Sequence, residues 1–379
     1  MYMKILALEP YYGGSHKAFL DGWSSRSRHE WTMLKLAAYK WKWRMRHSAI
    51  TFAEEVKRRG GDGERWDLIF CSDMLNLAEF LGLSPGTVGG LPSVVYFHEN
   101  QLTYPVRFES ERDYQFGMTN TTTALAGRSV WFNSTFHRDS FVEALGEFLQ
   151  RMTDYQPVEA VEMIGNKAIV CPPGIERIDK RAESRAEGPV RILWAARWEH
   201  DKNPEEFFKA LEIIKSGGVE FRVSVIGEQF REGPEVFEWG KKYFSEHIER
   251  WGYQRNREEY EAALAEADLI VSTAGHEFFG ISVVEGISAG AYPVLPKRLA
   301  YPEILGLGEA EGAEEYFYEG GAEGLAERLT ELAGFVQKNG LWGRDRQRAA
   351  RLVERFEWDN RVNVLDEQVE KVLLGSIQG

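Results

Sequence analysis

Two glutamates eight positions apart are the most informative residues of this chain. They lie in Ser272–Glu285, where a short apolar run leads through a glycine-containing loop into an apolar helical pattern. We expect Glu277 in the loop, facing a sugar, and Glu285 in the helix, where its carboxylate can accept hydrogen bonds from a vicinal diol. The amides expected at the helix start, a position that favours phosphate, are those of Phe279, Gly280 and Ile281. The alternative is one structural and one solvated glutamate.

Two cations follow another apolar run. Arg197 and Lys202 come after Val190–Ala196, just ahead of a helix predicted to start near Pro204. Two cations beside a helix N-terminus suit a diphosphate. The alternative is an ordinary solvated loop, although Arg197 directly at a strand end favours a functional role.

The first half offers weaker candidates. Gly13 and Gly14 follow the first predicted strand, and paired glycines allow a ligand to approach the backbone closely. A plain tight turn explains them equally well, and the G-x-G-x-x-G dinucleotide pattern is absent. His98 directly follows a buried strand and could bind a sugar hydroxyl or move a proton. It could also be a histidine whose partners are backbone groups.

A basic segment near the N-terminus alternates cations with large apolar residues. From Arg26 to Arg46 it carries seven basic residues and one acid. Cations attract phosphates and tryptophan stacks on unpaired bases, so the segment suits RNA. The candidate residues for binding an RNA acceptor are His16, Lys40, Lys42, Trp43, Arg44 and Arg46. The alternatives are a helix with a packed core face and a solvated basic face, or an amphipathic membrane contact.

Short apolar strands alternate with helical patterns through the whole chain. In the first half the predicted strands are Lys4–Leu8, Asp67–Cys71, Ser93–Phe97, Ser129–Phe132 and Ala168–Cys171. In the second half they are Val190–Ala196, Phe221–Ile226, Asp268–Ser272 and Tyr292–Leu295. This alternation predicts an α/β fold of two Rossmann-like, doubly wound parallel-sheet domains. We expect the domains to face a cleft lined by the loops after the strands.

The domain boundary is marked by composition. Pro172-Pro173-Gly174 ends the fifth strand, and the polar segment Ile175–Gly188 suits a linker. We predict an N-terminal domain at residues 1–180, a C-terminal domain that carries the cationic and glutamate loops at residues 188–355, and a last helix at residues 356–379. The apolar face of that helix, expected to pack back on the first domain, comprises Val362, Leu365, Val369 and Val372.

Bulk properties limit the function classes. The 379 residues carry a net charge of −13, which argues against general nucleic-acid binding, although the basic segment remains compatible with a phosphate-rich partner. No apolar run approaches the roughly 20 residues that cross a bilayer, and Met1–Leu8 lacks the features of a signal peptide. Cys71 and Cys171 have no metal-ligand spacing and are expected to be buried free thiols. We therefore expect a cytoplasmic protein without stable membrane insertion.

The stretch from Glu277 to Glu285 resembles the E-x7-E signature of the retaining group 1 glycosyltransferases, which have the GT-B fold. The resemblance implies that Glu277 contacts the transferred sugar and that Glu285 holds the ribose. Arg197 and Lys202 resemble the pair that binds the leaving diphosphate. The family needs no metal, and the Asp-x-Asp metal motif is absent here.

The same resemblance covers the first half. Gly14 matches the residue that approaches the donor from the first domain, and His98 matches a histidine that touches the sugar. The resemblance thus implies an active site with catalytic residues Glu277 and His98, and with no metal or other cofactor besides the donor co-substrate.

A narrower resemblance spans nearly the whole chain. The segments that carry it are 8–16 (LEPYYGGSH), 40–46 (KWKWRMR), 97–101 (FHENQ), 199–204 (EHDKNP), 276–280 (HEFFG) and 301–303 (YPE). They resemble the tRNA-queuosine mannosyltransferase family, which implies transfer of mannose from GDP-mannose to the cyclopentenediol of queuosine in a tRNA anticodon. The alternatives are a related transferase acting on a lipid, glycan or small molecule, and a non-catalytic nucleotide-sugar- or RNA-binding protein. The sequence leaves the oligomeric state open.

Overall fold

The computed structural model divides the chain into two units. The first comprises Met1–Gly174 and Trp358–Gly379, and the second comprises Ile175–Glu357. The structure describes residues 1–106, 108, 111–178, 188–230, 233–309, 312–338, 341–342 and 348–375. Most of the predicted linker therefore lies outside the described residues.

The first unit is built on a six-stranded sheet with the order β2-β1-β3-β4-β5-β6, and all of its paired strands are parallel. Its strands are β1 (Lys4–Tyr12), β2 (Glu30–Ala37), β3 (Leu68–Ser72), β4 (Ser93–Phe97), β5 (Ser129–Phe132) and β6 (Ala168–Val170). Its helices before the chain leaves the unit are α1 (Gly14–Ser24), α2 (Trp41–Gly61), α3 (Leu77–Leu83), α4 (Pro85–Val88), α5 (Tyr114–Ala126), α6 (Thr135–Gln150) and α7 (Glu159–Gly165).

The second unit has the same architecture. Its described strands pair in parallel in the order β12-β11-β10-β7-β8-β9. The strands are β7 (Val190–Ala195), β8 (Phe221–Ile226), β9 (Ile248–Gly252), β10 (Leu269–Val271), β11 (Tyr292–Pro296) and β12 (Phe317–Tyr318). The helices are α8 (Pro204–Ser216), α9 (Val236–Tyr243), α10 (Arg257–Glu266), α11 (Ile281–Ser288), α12 (Tyr301–Ile304), α13 (Gly321–Lys338) and α14 (Arg348–Val353).

The last helix, α15 (Trp358–Leu374), completes the first unit. It buries Leu365, Val369 and Val372, which belong to the apolar face that the spacing predicts. These residues pack with Ile5 and Ala7 of β1. The alternate residues of β1, Leu6 and Leu8, pack on the other face of the sheet with residues of α2 and α6. Because successive side chains of a strand point to opposite faces, each face of this sheet carries its own core.

The order of the strands determines where ligands bind. In each doubly wound sheet the chain reverses its direction of winding once, between β1 and β3 in the first unit and between β7 and β10 in the second. Loops at the carboxyl ends of such neighbouring strands form a crevice, because the following helices lie on opposite faces of the sheet. The glycine segment after β1, the cationic loop after β7 and the glutamate loop after β10 all lie at these switch points.

Three strands were missing from the predicted set, and one was too short. β2, β9 and β12 are edge strands, and β2 buries only one of its eight residues fully. An edge strand is solvated along one side, so it can carry polar and charged residues that interrupt an apolar run, as β2 and β9 do. β1 continues to Tyr12, so that Glu9 lies in the strand rather than in the loop.

Cys71 and Cys171 are buried free thiols, as predicted. None of the described helices has both the length and the apolar character that a membrane span requires.

Candidate active site

A buried lysine meets a glutamate from a different loop at the switch point of the second unit. Lys202 closes the short 3-10 turn His200–Lys202 and is 7% exposed. Its Nζ donates to the backbone oxygen of His276 at 2.7 Å and to Oε2 of Glu277 at 3.2 Å. It is also ion-paired with Oδ2 of Asp201 at 3.0 Å. The structure thus brings together the predicted phosphate cation and the predicted sugar carboxylate.

The charges of this cluster stabilise one another. Burial raises the pKa of Glu277, but the Lys202 ammonium outweighs burial and brings that pKa below its ordinary value. Burial lowers the pKa of Lys202, but Glu277 and Asp201 outweigh it and raise that pKa. Both side chains are therefore charged at neutral pH. A diphosphate bound to Lys202 would share this cation with two carboxylates.

Hydrogen bonds hold the two loops together. The backbone oxygen of Asp201 accepts from the amides of Gly275 and His276 at 2.8 and 3.2 Å. The Thr273 hydroxyl donates to the backbone oxygen of Lys202 at 2.9 Å. Lys202 is therefore fixed by its backbone as well as by its side chain, which suits a group that must meet a developing charge without rearranging.

Arg197, the second predicted phosphate cation, is arranged differently. Its Nη1 is paired with Oε2 of Glu199 at 2.7 Å, and 39% of its side chain is exposed. The arginine is thus paired within its own loop, whereas Lys202 is paired across two loops.

Glu285 lies in α11, as predicted, and both of its carboxylate oxygens are held by α10. Tyr260 donates to Oε2 at 2.7 Å, and Nη2 of Arg257 is ion-paired with Oε1 at 2.8 Å. Only 6% of Glu285 is exposed. These two contacts fix the plane of the carboxylate. Each oxygen retains a further lone pair, so the carboxylate can still accept hydrogen bonds from a diol.

The turn before α11 contains the predicted phosphate amides. The Phe279 amide donates to Oε1 of Glu277 at 3.4 Å. Gly280 has a φ of 90°, a conformation that favours glycine, and a Cβ there would lie 3.0 Å from the Tyr301 ring. Ile281 starts the helix. Glu277 therefore contacts both the predicted cation and one of the predicted phosphate amides.

The first unit places two histidines face to face. The rings of His16 and His98 have centroids 3.9 Å apart and are tilted by 31°. Nδ1 of His16 lies 3.1 Å from Oε2 of Glu9, and only 6% of the His16 side chain is exposed. Burial lowers the pKa of His16, but the Glu9 carboxylate outweighs it and raises the value to about 9. His16, predicted among the acceptor-binding residues, is thus buried behind His98.

His98 is held through its backbone at the end of β4. Its amide donates to Oδ1 of Asp73 at 2.9 Å, and its carbonyl accepts from Nδ2 of Asn133 at 3.0 Å. Asp73 is fully buried, and no described residue forms a hydrogen bond with its Oδ2. Burial is the main reason why the pKa of Asp73 is raised to about 8. The imidazole of His98 is half-buried, which leaves it accessible to substrate.

Glu9, His16 and His98 also bring three possible metal-ligand atoms within 4.8 Å of one another. The lone pair of an imidazole nitrogen lies in the plane of its ring, and the two rings are stacked. Coordination of one ion by both histidines would therefore require one ring to turn.

The predicted glycine loop starts α1. A Cβ at Gly13 would lie 2.4 Å from that of Ala38, and Gly14 has a φ of 51°. Both positions therefore favour glycine for conformational and packing reasons. Both also lie at the switch point of the first unit, where a ligand could approach the backbone.

Five of the predicted tRNA-binding residues lie at the start of α2 and are called the basic ridge: Lys40, Lys42, Trp43, Arg44 and Arg46. The segment is helical from Trp41 onwards, so its two faces differ: Met45 is buried, whereas Trp43 is 61% exposed. Trp43 lies against the His47 ring, with centroids 5.0 Å apart. Core packing and a solvated basic face thus occur together in this helix.

Sequence reasoning missed several residues that hold the site together. Asp73 directly follows a buried strand, the same pattern that identified His98, and could have been found. Glu9 was placed in a loop because the predicted strand ended too early. Tyr260 and Arg257 lie on a surface helix, and only the tertiary structure shows that they contact Glu285.

Comparison with known proteins identifies relatives of both halves of the chain. Residues 4–175 match the model of the N-terminal region of tRNA-queuosine alpha-mannosyltransferase, and residues 176–333 match the glycosyl transferases group 1. The tRNA-queuosine alpha-mannosyltransferase of Drosophila melanogaster is 37% identical over 311 residues, which cover 79% of this chain and 81% of the fly protein.

Solved structures give the same fold. A sucrose-phosphate synthase from Thermosynechococcus elongatus superposes with a TM-score of 0.70 at 12% identity, covering 98% of this chain and 100% of its own. HepE of Anabaena, in complex with UDP, gives a TM-score of 0.67 at 14% identity, covering 97% and 100%. These likenesses identify the two-domain α/β GT-B fold. With both halves matched by family models and with this identity to the fly protein, the chain belongs to the tRNA-queuosine alpha-mannosyltransferase family.

Proposed function

We propose that this protein transfers mannose from GDP-mannose to queuosine in the anticodon of tRNA, with retention of configuration. The observation that carries the proposal is the contact between Lys202 and Glu277 at the switch point, with Glu285 gripped on the following helix. Family membership supports the acceptor.

The donor would bind mainly to the second unit. Glu285 accepts hydrogen bonds from the two ribose hydroxyls, and Lys202 binds the diphosphate together with Arg197 and the amides before α11. Glu277 then contacts the mannose. Cations and a helix N-terminus can neutralise the leaving diphosphate without a divalent ion. We therefore expect full activity in the presence of EDTA.

In the transfer step an acceptor hydroxyl attacks the anomeric carbon on the face from which GDP departs. The bond between this carbon and the phosphate oxygen breaks, a new bond to the acceptor oxygen forms, and configuration is retained. The hydroxyl proton passes to the departing phosphate oxygen. Lys202 stabilises the charge that develops on this oxygen, and His98 contacts a hydroxyl of the substrate.

The tRNA would contact the basic ridge. Lys42 and Arg46, exposed one turn apart on α2, bind backbone phosphates, and the exposed ring of Trp43 offers a stacking surface to an unpaired base. Binding should weaken as salt rises, because phosphate contacts release counterions. Buried free thiols suit a reducing compartment, which supports a cytoplasmic location.

The decisive experiment is transfer of radiolabelled mannose from GDP-mannose to total tRNA prepared with and without queuosine. We expect label only on tRNA that contains queuosine. Label on vesicles or free glycans, with none on either tRNA, would overturn the acceptor and favour another group 1 transferase. Absence of both transfer and donor hydrolysis, with the donor shown to bind, would indicate a non-catalytic protein.

A further inference from the structure

His98 presents an imidazole whose ring nitrogens are not engaged. Among the described residues, none forms a hydrogen bond with Nδ1 or Nε2 of His98, although its amide and carbonyl are both bonded. The Phe19 ring meets the His98 ring edge-on, with centroids 5.4 Å apart, and the Tyr96 ring packs against it with centroids 4.7 Å apart. The ring is therefore surrounded by packing contacts while its polar atoms remain available to a substrate.

One face of this ring is covered by an ion pair. His16 stacks on His98, with centroids 3.9 Å apart, and is itself paired with Glu9. Glu9 is fixed by two further bonds, from the Ser72 hydroxyl at 3.0 Å and from the Tyr11 amide at 2.8 Å. A row of contacts thus runs from the buried Ser72 through Glu9 and His16 to the accessible His98.

We propose that His16 is a positioning residue for His98: it holds the His98 ring in one orientation, and its positive charge offsets the Glu9 carboxylate, so that the His98 ring stays uncharged. The proposal rests on the proposed function, in which His98 contacts a substrate hydroxyl. A neutral imidazole carries one donor and one acceptor, whereas an imidazolium only donates. An uncharged ring also adds no repulsion to the positive charge that develops on the sugar during transfer.

The charges around the two rings agree with this role. Burial lowers the pKa of His98 well below its ordinary value, and charge interactions with His16 and His137 lower it further. His16 has a pKa of about 9 and is an imidazolium at neutral pH. The acids that face His16 are Glu9, Asp73 and Glu99. Burial raises the pKa of Asp73, which disfavours its charged form, and Glu9 is the acid whose carboxylate lies within hydrogen-bond distance of His16.

The test is a titration of His98 by NMR in the full chain labelled at histidine. In His16→Gln the cation is lost while the Glu9 carboxylate stays. We therefore expect the pKa of His98 to rise by at least about 1, given the strength of charge interactions at this distance. In the double variant Glu9→Gln/His16→Gln both charges are lost, and the titration should return towards that of the unsubstituted protein. His247→Gln, a histidine of the second unit, is the matched control and should leave the His98 titration unchanged.

A purely structural role gives a different pattern. If His16→Gln and the double variant lower the melting temperature alike and leave the titration of His98 unchanged, the proposal is overturned. In the transfer assay, the acid limb of the pH profile of His16→Gln should move to higher pH by the same amount as the pKa of His98, because protonation of that ring removes its hydrogen-bond acceptor. The NMR result is independent of turnover, so it separates failure of this inference from failure of the proposed function.

Discussion

Replacement of Lys202 by methionine tests whether this lysine serves catalysis, folding or both. Methionine keeps much of the length and volume of lysine but removes the charge. The ammonium has two hydrogen-bond acceptors, at 2.7 and 3.2 Å, and a further ion-pair partner at 3.0 Å, and the residue is 7% exposed. Removal of one partner from a buried ion pair costs about 3–5 kcal/mol. In a unit of this size that loss lowers the melting temperature by about 10 °C.

Turnover should fall further than stability explains. Loss of one preorganised group that stabilises transition-state charge typically lowers kcat by about 10²–10³-fold. The measurements are mannose transfer to tRNA, GDP binding by calorimetry, and thermal unfolding followed by circular dichroism. Transfer and GDP binding are measured at a temperature at which the variant is fully folded.

A double variant separates the two roles. Lys202→Met/Glu277→Gln removes both members of the 3.2 Å pair, so we expect it to recover about half of the lost stability. It should recover no turnover. Turnover of Lys202→Met within about threefold of the unsubstituted protein would refute the phosphate assignment. Failure of the double variant to regain stability would refute the ion pair as the source of the loss.

Three further predictions follow from contacts at the two switch points and the basic ridge. Tyr260→Phe removes one hydrogen bond to a carboxylate and should weaken GDP binding by about tenfold in calorimetry; unchanged affinity would show that the grip on Glu285 is not needed. Trp43→Ala should raise the KM for tRNA about tenfold with an unchanged KM for the donor, whereas Ile50→Ala, at another exposed position of α2, should alter neither; equal effects would contradict base stacking. The pKa of His16 is raised in the folded state to about 9, so its contribution to stability should be complete below about pH 6.5 and lost as the pH rises through 9. Denaturant unfolding of His16→Gln should lack this decline, and an identical decline in the variant would refute the assignment.

The sequence predicts the central strands because these elements are buried on both faces. Ser93–Phe97 and Phe221–Ile226 have the same bounds in the structure as in the prediction. β2 and β9 were missed because they are edge strands with partly exposed residues. Periodicity reports burial, and burial is incomplete at the edge of a sheet.

The site residues were likewise predictable where they follow buried strands and not where they depend on tertiary packing. The loops that carry Lys202 and Glu277 could be placed because both follow buried strands, and parallel strands bring their carboxyl ends to one edge. The contact of Arg257 with Glu285, or of Glu9 with His16, depends on helix packing and on the true end of β1. Such contacts have no periodic signature in the sequence.

The last helix has a consequence for synthesis on the ribosome. The first unit needs α15, because the Trp358 ring fills the space beside Gly22 and Gly174, and because Trp23 donates to Oδ1 of Asp366 at 2.7 Å. The second unit is one continuous segment, Ile175–Glu357. Domains generally fold in the order in which they emerge from the ribosome. Here the first unit cannot complete its fold until α15, which is synthesised last, has emerged. Nascent chains that stop before Trp358 should hold a folded second unit beside a first unit whose aromatic core is uncovered, which makes them clients for chaperones.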